Sequence, residues 1–294
     1  MTSTVQTREQ IVNAALREIS HIATLPEVTL KIVELVDDPK STAQDLHKVI
    51  ANDPALCARI LKVVNSSFYG LPGQIGSINR AIVMLGLNAV KNIAIAASLA
   101  KLYRGADITS RFSARKVWEH AVATAAASKF IADRLKFGFT DEAFLSGLIH
   151  NIGIMVEMQF DRNRLIDVVQ QLDLNADGAP SKDMSEIELA VFGANHEQFG
   201  AALCEKWKFP RNLVLVTGHH HHPMEVPAEH RTLPCLIHLM TRLVGEIPGN
   251  FRADLVGLDM DPSVLEHLKV TSTQLDEFRK LLPDHLGTIG DLLS

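Results

Sequence analysis

The sequence predicts an all-α protein, and three observations carry that expectation. Apolar residues recur at helical spacing along most of the 294 residues. Cap and stop signals punctuate the chain at helix-length intervals. No convincing period-two run appears. Leu213-Val214-Leu215-Val216 is the one ambiguous piece, framed by Pro210 and a run of histidines.

The elements follow in order. A first helix is predicted over residues 8–19, with Ile11, Val12, Ala15, Leu16 and Ile19 on one stripe, and Leu25-Pro26 breaks it. Residues 30–36 form a short helix that ends at Asp38-Pro39. Ser41 with Gln44 reads as a capping box, and Asp53-Pro54 as an N-cap followed by proline at the first helical position. Residues 65–76 are rich in turn formers and read as a long loop. Ser77 and Asn88 are expected to cap two helices separated by Gly86, the second of them very apolar. Residues 104–111 are polar and mark the expected boundary between an N-terminal helical bundle, residues 1–105, and a second bundle with a helical tail, residues 106–294. Ser113 opens a long alanine-rich helix through His120 to Leu135, whose small side chains let other helices approach closely. Thr140-Asp141-Glu142 begins the next helix, and Ser185 with Glu188 forms a second capping box. Residues 233–244, 262–270 and 274–282 complete the set.

Composition narrows the function. A net charge of -5 argues against a nucleic-acid footprint, which would be basic. The cysteines Cys57, Cys204 and Cys235 lie far apart, match no zinc spacing and suit a reducing compartment. The N-terminus lacks a signal-peptide core, and no apolar run reaches the length of a membrane span. A cytoplasmic protein without nucleic-acid or membrane partners is the expectation.

The central stretch, residues 144–156, is apolar almost throughout and is expected to form one buried helix. His150-Asn151 interrupts it, and a buried polar group without a partner costs about 1–3 kcal/mol. His120, His196 and the run His219-His220-His221-His222 are the available partners. Helices that bring several histidines together make either a metal site or a hydrogen-bonded network. Four consecutive histidines cannot all face inward, so His219 or His220 is expected inside, with His221 and His222 exposed beside Pro223. The scattered histidines, His238 among them, are read as surface or capping residues.

Two blocks resemble a known family. Asn65-Ser66-Ser67-Phe68-Tyr69, with Ile75 to Gly86, is similar to the N-terminal signature of HDOD proteins, the HD-related output domains of bacterial signalling. Glu188, His196-Glu197-Gln198-Phe199-Gly200-Ala201, Trp207-Lys208-Phe209-Pro210 and His219-His220 resemble the latter half of that domain. The resemblance runs from about residue 22 to 222. It implies kinship with HD-type metal phosphohydrolases and bacterial signalling proteins as partners. Matched motif to motif, the family's first histidine falls on His120, its His-Asp doublet on His150-Asn151, its later histidines on His196 and His219 or His220, and its final aspartate near Thr241. Asparagine and threonine therefore stand where the enzymes carry carboxylates. Two-metal phosphoester hydrolysis needs anionic ligands to hold and bridge the ions, so binuclear catalysis is not expected.

Two functions follow. One is a non-catalytic regulatory module acting by protein–protein contact. The other is a metal-dependent phosphohydrolase acting on a nucleotide or cyclic dinucleotide. One divalent transition metal ion held by His120, His150, Asn151, His196 and His219 or His220 is compatible with either, and so is a metal-free network. In the 66–76 loop, Phe68, Tyr69 and Leu71 would form a partner-binding surface if exposed. Arg111, Arg115 and Lys116 read as a solvated helix end rather than a phosphate site.

Overall fold

A computed structural model describes residues 7–19, 27–38, 40–103 and 107–287. The breaks expected at Leu25-Pro26 and Pro39, and the boundary at 105/106, lie outside those residues. The described chain is all-helical: α1 (Arg8–Glu18), α2 (Glu27–Asp37), α3 (Ala43–Ala51), α4 (Pro54–Val64), α5 (Ile78–Leu85), α6 (Leu87–Leu99), α7 (Ala114–Arg134), α8 (Thr140–Ile149), α9 (Ile152–Phe160), α10 (Arg162–Gln171), α11 (Met184–Val191), α12 (His196–Lys206), α13 (Arg211–His219), α14 (Thr232–Gly245), α15 (Pro262–Leu268) and α16 (Ser272–Leu286). Two short 3₁₀ turns, Pro223–Glu225 and Ala228–His230, follow α13. The ambiguous residues 213–216 are helical.

Caps set most boundaries. Asp53, Ser77 and Ser113 accept from the backbone of Leu56, Arg80 and Lys116, as their sequence context predicts. Gly86 ends α5 at φ 90°, a conformation that costs glycine little, and α6 starts directly behind it at Leu87 without using Asn88 as a cap. Two predicted boxes are displaced. Thr42 and Asp45, not Ser41 and Gln44, form the box that opens α3. Ser41 is occupied elsewhere, because its hydroxyl and the Leu35 carbonyl receive the buried Lys91 ammonium from α6. That lysine ties α6 to the end of α2 and the start of α3. In the second case Asp183 caps α11. Glu188 turns inward instead, to a partner described below.

Helices α2 to α6 pack together as an N-terminal bundle, and α6 meets α8 of the second bundle. The second bundle centres on α7 and α8, with α9, α12, α13 and α14 around them. Helix α1 precedes the first bundle in sequence but packs on α9 and α12 of the second, where the Lys206 ammonium donates to its Leu16 carbonyl at 2.9 Å.

The predicted single helix over residues 144–156 is two helices. Asn151 leaves helical geometry at φ -97°, ψ 19° and begins α9. Glycines on both sides of the break admit neighbours that no other residue would. A Cβ on Gly147 would meet the Ala125 backbone of α7 at 2.7 Å, and one on Gly153 would meet the His196 carbonyl oxygen at 1.8 Å. Close crossing of α8 on α7 and of α9 on α12 delivers His150 and Asn151 to the centre of the bundle.

The 66–76 loop is a fixed connection. The Asn65 amide donates to Ile75 O at 2.9 Å and its carbonyl accepts from Ile75 N at 2.7 Å, bracketing the loop's ends. Phe68 lies against Tyr69, Phe144 and His285. Phe68, Tyr69 and Leu71 are all partly buried against the core. The reading of these three as a partner-binding surface is conditional on their exposure; they are half-buried, and the Phe68 ring packs the loop against Phe144 of the second bundle.

Candidate metal centre

Five imidazoles converge where α7, α8, α12 and the end of α13 meet. His120 comes from the second turn of α7, His150 from the end of α8, His196 from the first residue of α12, and His220 and His221 from the chain just beyond α13. Adjacent ring centroids are 5.4 Å apart for His120 and His150, 5.1 Å for His150 and His220, 5.0 Å for His196 and His221, and 4.2 Å for His220 and His221.

The expectation that His120, His150 and His196 gather with His219 or His220 resolves to His220. His219 turns outward, its side chain 37% exposed and 4.0 Å from Glu225. The predicted exposure of His221 is corrected: its side chain is 10% exposed, and its Nε2 lies 3.0 Å from His196 Nε2. The chain leaves α13 at residue 220, so the helical argument for alternate faces stops one residue short of His221. His238 is also buried rather than superficial, with its Nδ1–H donating to the His220 carbonyl at 2.8 Å.

The group also contains a carboxylate that sequence reasoning missed. Asp254, on the loop after α14, is buried and accepts from the Asn151 amide at 2.8 Å. Thr241, where the family's last aspartate was expected, donates to the His238 carbonyl at 3.0 Å. The carboxylate therefore arrives from further along the chain than the motif matching placed it. An aspartate among turn residues is ordinary, and no local signal in the sequence marks Asp254.

Surrounding groups fix the imidazole tautomers. His150 donates Nδ1–H to Gly147 O at 2.7 Å, and His220 donates its own to Thr217 O at 3.2 Å, leaving both Nε2 lone pairs directed elsewhere. Glu188 receives both the backbone N–H and the ring Nδ1 of His196, at 2.9 and 2.7 Å. This is why Glu188 is inside the fold rather than at a helix cap. Glu197 accepts from His221 N at 2.9 Å and lies 3.7 Å from His220 Nδ1. Glu157 is buried beside Glu188; burial and that neighbouring charge hold its proton well above the usual carboxylate range. Glu119 points away and pairs with Arg115 at 2.8 Å.

Electrostatics divide the histidines. Burial lowers His120 to about 4; burial together with the His120 ring lowers His150 to about 3. His220 and His221 are also held well below their ordinary value, by burial first, with the neighbouring His221 ring adding to the effect on His220 and the His196 ring to that on His221. Burial pulls His196 down too, but the combined charges of Glu188, Glu197 and Asp254 lift it to about 9.

Among the described residues, two groups of three have ligand atoms within 4.8 Å of one another: His120 with His150 and Asp254, and His196 with His220 and His221. The first group fits a metal ion better. Each of its members carries a buried atom without a hydrogen-bond partner (His120 Nδ1, His150 Nε2 and Asp254 Oδ1), and Asn151 Oδ1 is a fourth. Buried polar atoms are rarely left so. In the second group His196 and His221 satisfy each other, and only His220 Nε2 is unpartnered. Neutral imidazoles with one carboxylate suit a divalent transition metal, and an anchored Nδ1–H behind the ligating nitrogen is the usual outer support.

Fold and site together define an all-helical domain with a buried centre of histidines and one aspartate. The chain belongs to the HDOD family, whose domain profile matches residues 22–223. Among solved structures, a candidate signal transduction protein from Marinobacter aquaeolei superposes with a TM-score of 0.76 at 23% identity, over 98% of this chain and 66% of that one. A candidate phosphohydrolase from Shewanella amazonensis superposes with a TM-score of 0.72 at 22% identity, over 96% and 98%. An uncharacterized protein of Treponema pallidum (strain Nichols) is 24% identical over 235 residues, which cover 78% of this chain but only 43% of that protein. No helix among the described residues is long and apolar enough to cross a membrane.

Proposed function

We propose that this chain is a regulatory module of bacterial signal transduction. In this reading its buried centre holds one divalent transition metal ion, and the output passes through protein contacts rather than turnover. His120, His150 and Asp254 hold the ion, with the Asn151 carbonyl beside them; a bound ion would supply Lewis acidity and a charge that knits α7, α8 and the Asp254 loop together. The observation that carries the non-catalytic reading is closure. The side chains of His120, His150, Asn151, His196, His220 and Asp254 are buried, and His221 is nearly so. A phosphodiester must touch the metal to be hydrolysed, and these ligands are shut off from solvent.

A metal-dependent phosphohydrolase is the second reading, and one specific observation favours it: Asp254 supplies a carboxylate to a centre whose motif positions carry asparagine and threonine. Elemental analysis and a turnover assay separate the two. About one equivalent of metal per chain, with no hydrolysis of cyclic dinucleotides or a generic phosphodiester in added manganese, iron or zinc, is expected. Two equivalents, with turnover that disappears in His150→Ala, would establish the hydrolase.

A further inference from the structure

A cleft of about 430 Å³ opens beside the histidine centre, walled by the turn at 176–178, the loop at 245–252 and the start of α7. Its volume falls within the range of small-molecule sites. Three cations line it, from two separate stretches: Arg111 and Lys116 at the start of α7, and Arg252 on the loop after α14. The acids in the wall are Asp177 and Glu246, and Glu246 is committed to Arg279 through two bonds of 2.9 and 3.0 Å.

That leaves Asp177, without an ion pair among the described residues, as the one acid in the wall to set against three cations. A helix start favours acids, yet the first turn of α7 has none and carries Arg115 and Lys116. Glu119 takes Arg115. No ion pair engages Lys116 or Arg252 among the described residues, and Arg252 Nε is closed to solvent without a hydrogen-bond partner. Arg111 spends one nitrogen on the Leu174 carbonyl at 3.0 Å, which pins the guanidinium at the cleft edge. Arg111 and Lys116 flank Ser113, the N-cap of α7, so the partial positive charge of a 21-residue helix adds to theirs. Like charges gathered in a concave site stabilise nothing until an anion enters. Arginine forks and a lysine match phosphate oxygens in geometry and charge.

We propose that this cleft binds a small molecule bearing one or more phosphate groups, of about the size of a mononucleotide. The same loop serves both sites. Arg252 lines the cleft, Asp254 two residues on reaches the histidines, and the ring of Phe251, the residue before Arg252, lies 5.9 Å from the His120 ring and 5.2 Å from that of Phe112. A ligand held by Arg252 would thus bear directly on the segment that delivers Asp254. Binding itself does not depend on a metal in the centre.

Isothermal titration of the full chain in EDTA tests this, because chelation removes any metal-held phosphate. The probes are adenosine monophosphate, inorganic pyrophosphate and adenosine. Saturable binding of either phosphate probe, without binding of adenosine, is expected. Lys116→Ala should weaken it at least tenfold, Lys116→Ala with Arg252→Gln should abolish it, and Arg115→Ala should leave it unchanged. If the double variant fails to fold by circular dichroism, Lys116→Ala alone decides. No binding of either phosphate probe at millimolar concentration, equal binding of adenosine, or an affinity unaltered by Lys116→Ala would overturn the proposal.

Discussion

His196 and Asp254 show how single contacts assign roles within one cluster. The hydrogen bond from the His196 ring to Glu188, with the charges of Glu188, Glu197 and Asp254, holds that ring protonated, whereas His120 and His150 make no hydrogen bond to a carboxylate and burial keeps them neutral. Glu188→Gln should therefore lower His196 from about 9, since burial then meets only the charges of Glu197 and Asp254. A ring titration followed by NMR reads this directly. Metal occupancy should survive that change but not Asp254→Asn, which removes the one carboxylate of the first group; affinity should fall at least tenfold, measured with a competing chelator. Equal occupancy in the two variants would place the ion elsewhere.

Protonation of the cluster also sets an acid limit for the chelated protein. His120, His150, His220, His221 and His238 titrate lower in the folded chain than unfolded, so the unfolded state binds more protons between about pH 6.5 and 4.5 and stability falls on acidification. Glu157 and Glu197, raised by burial, act in the opposite sense across that window, but five groups oppose two. His196 is protonated in both states there and contributes no slope; its own stabilisation is full below pH 6.5 and is lost as pH rises through about 9. The melting temperature in EDTA should decrease steadily from pH 6.5 to 4.5. A flat profile would mean that the histidines are solvated.

At the scale of elements, the break between α8 and α9 is the device that places the site. Two closely crossing helices turn His150 and Asn151 into a space that a continuous helix would have carried past. Gly153 is the tightest point of that crossing. Gly153→Ala puts a methyl into the His196 carbonyl, where only the backbone could yield. Overpacking of this kind costs about 1–3 kcal/mol, and the cost should sit at the upper end because the obstacle is not a flexible side chain. Gly76→Ala, with open space around its Cβ, serves as the control. Urea midpoints should separate the two clearly.

For the whole molecule, the ligands tie together segments far apart in the chain: α7, the α8–α9 break and the loop after α14. A ligand that binds only the folded state stabilises it by mass action, about 2.7 kcal/mol at a hundredfold excess over Kd. Adding a divalent transition metal to the chelated protein should therefore raise its melting temperature in a concentration-dependent way, and Asp254→Asn should abolish the shift. A metal-independent melting temperature in the wild-type chain would leave the network metal-free.

By itself the sequence determined the helical class, nearly every helix, the HDOD resemblance and the gathering of His120, His150, Asn151 and His196 with one of His219 and His220. Those properties are local: period, caps and short motifs are written in consecutive residues. The tertiary structure alone decided that Glu188 supports His196 instead of capping α11, that His221 enters while His219 leaves, and that Asp254 rather than a residue near Thr241 supplies the carboxylate. It also decided that Lys116 and Arg252, 136 positions apart in the numbering, share one cleft. Each of those outcomes depends on which buried group meets which partner across the bundle, and a helix's own periodicity carries no record of what will be packed against it.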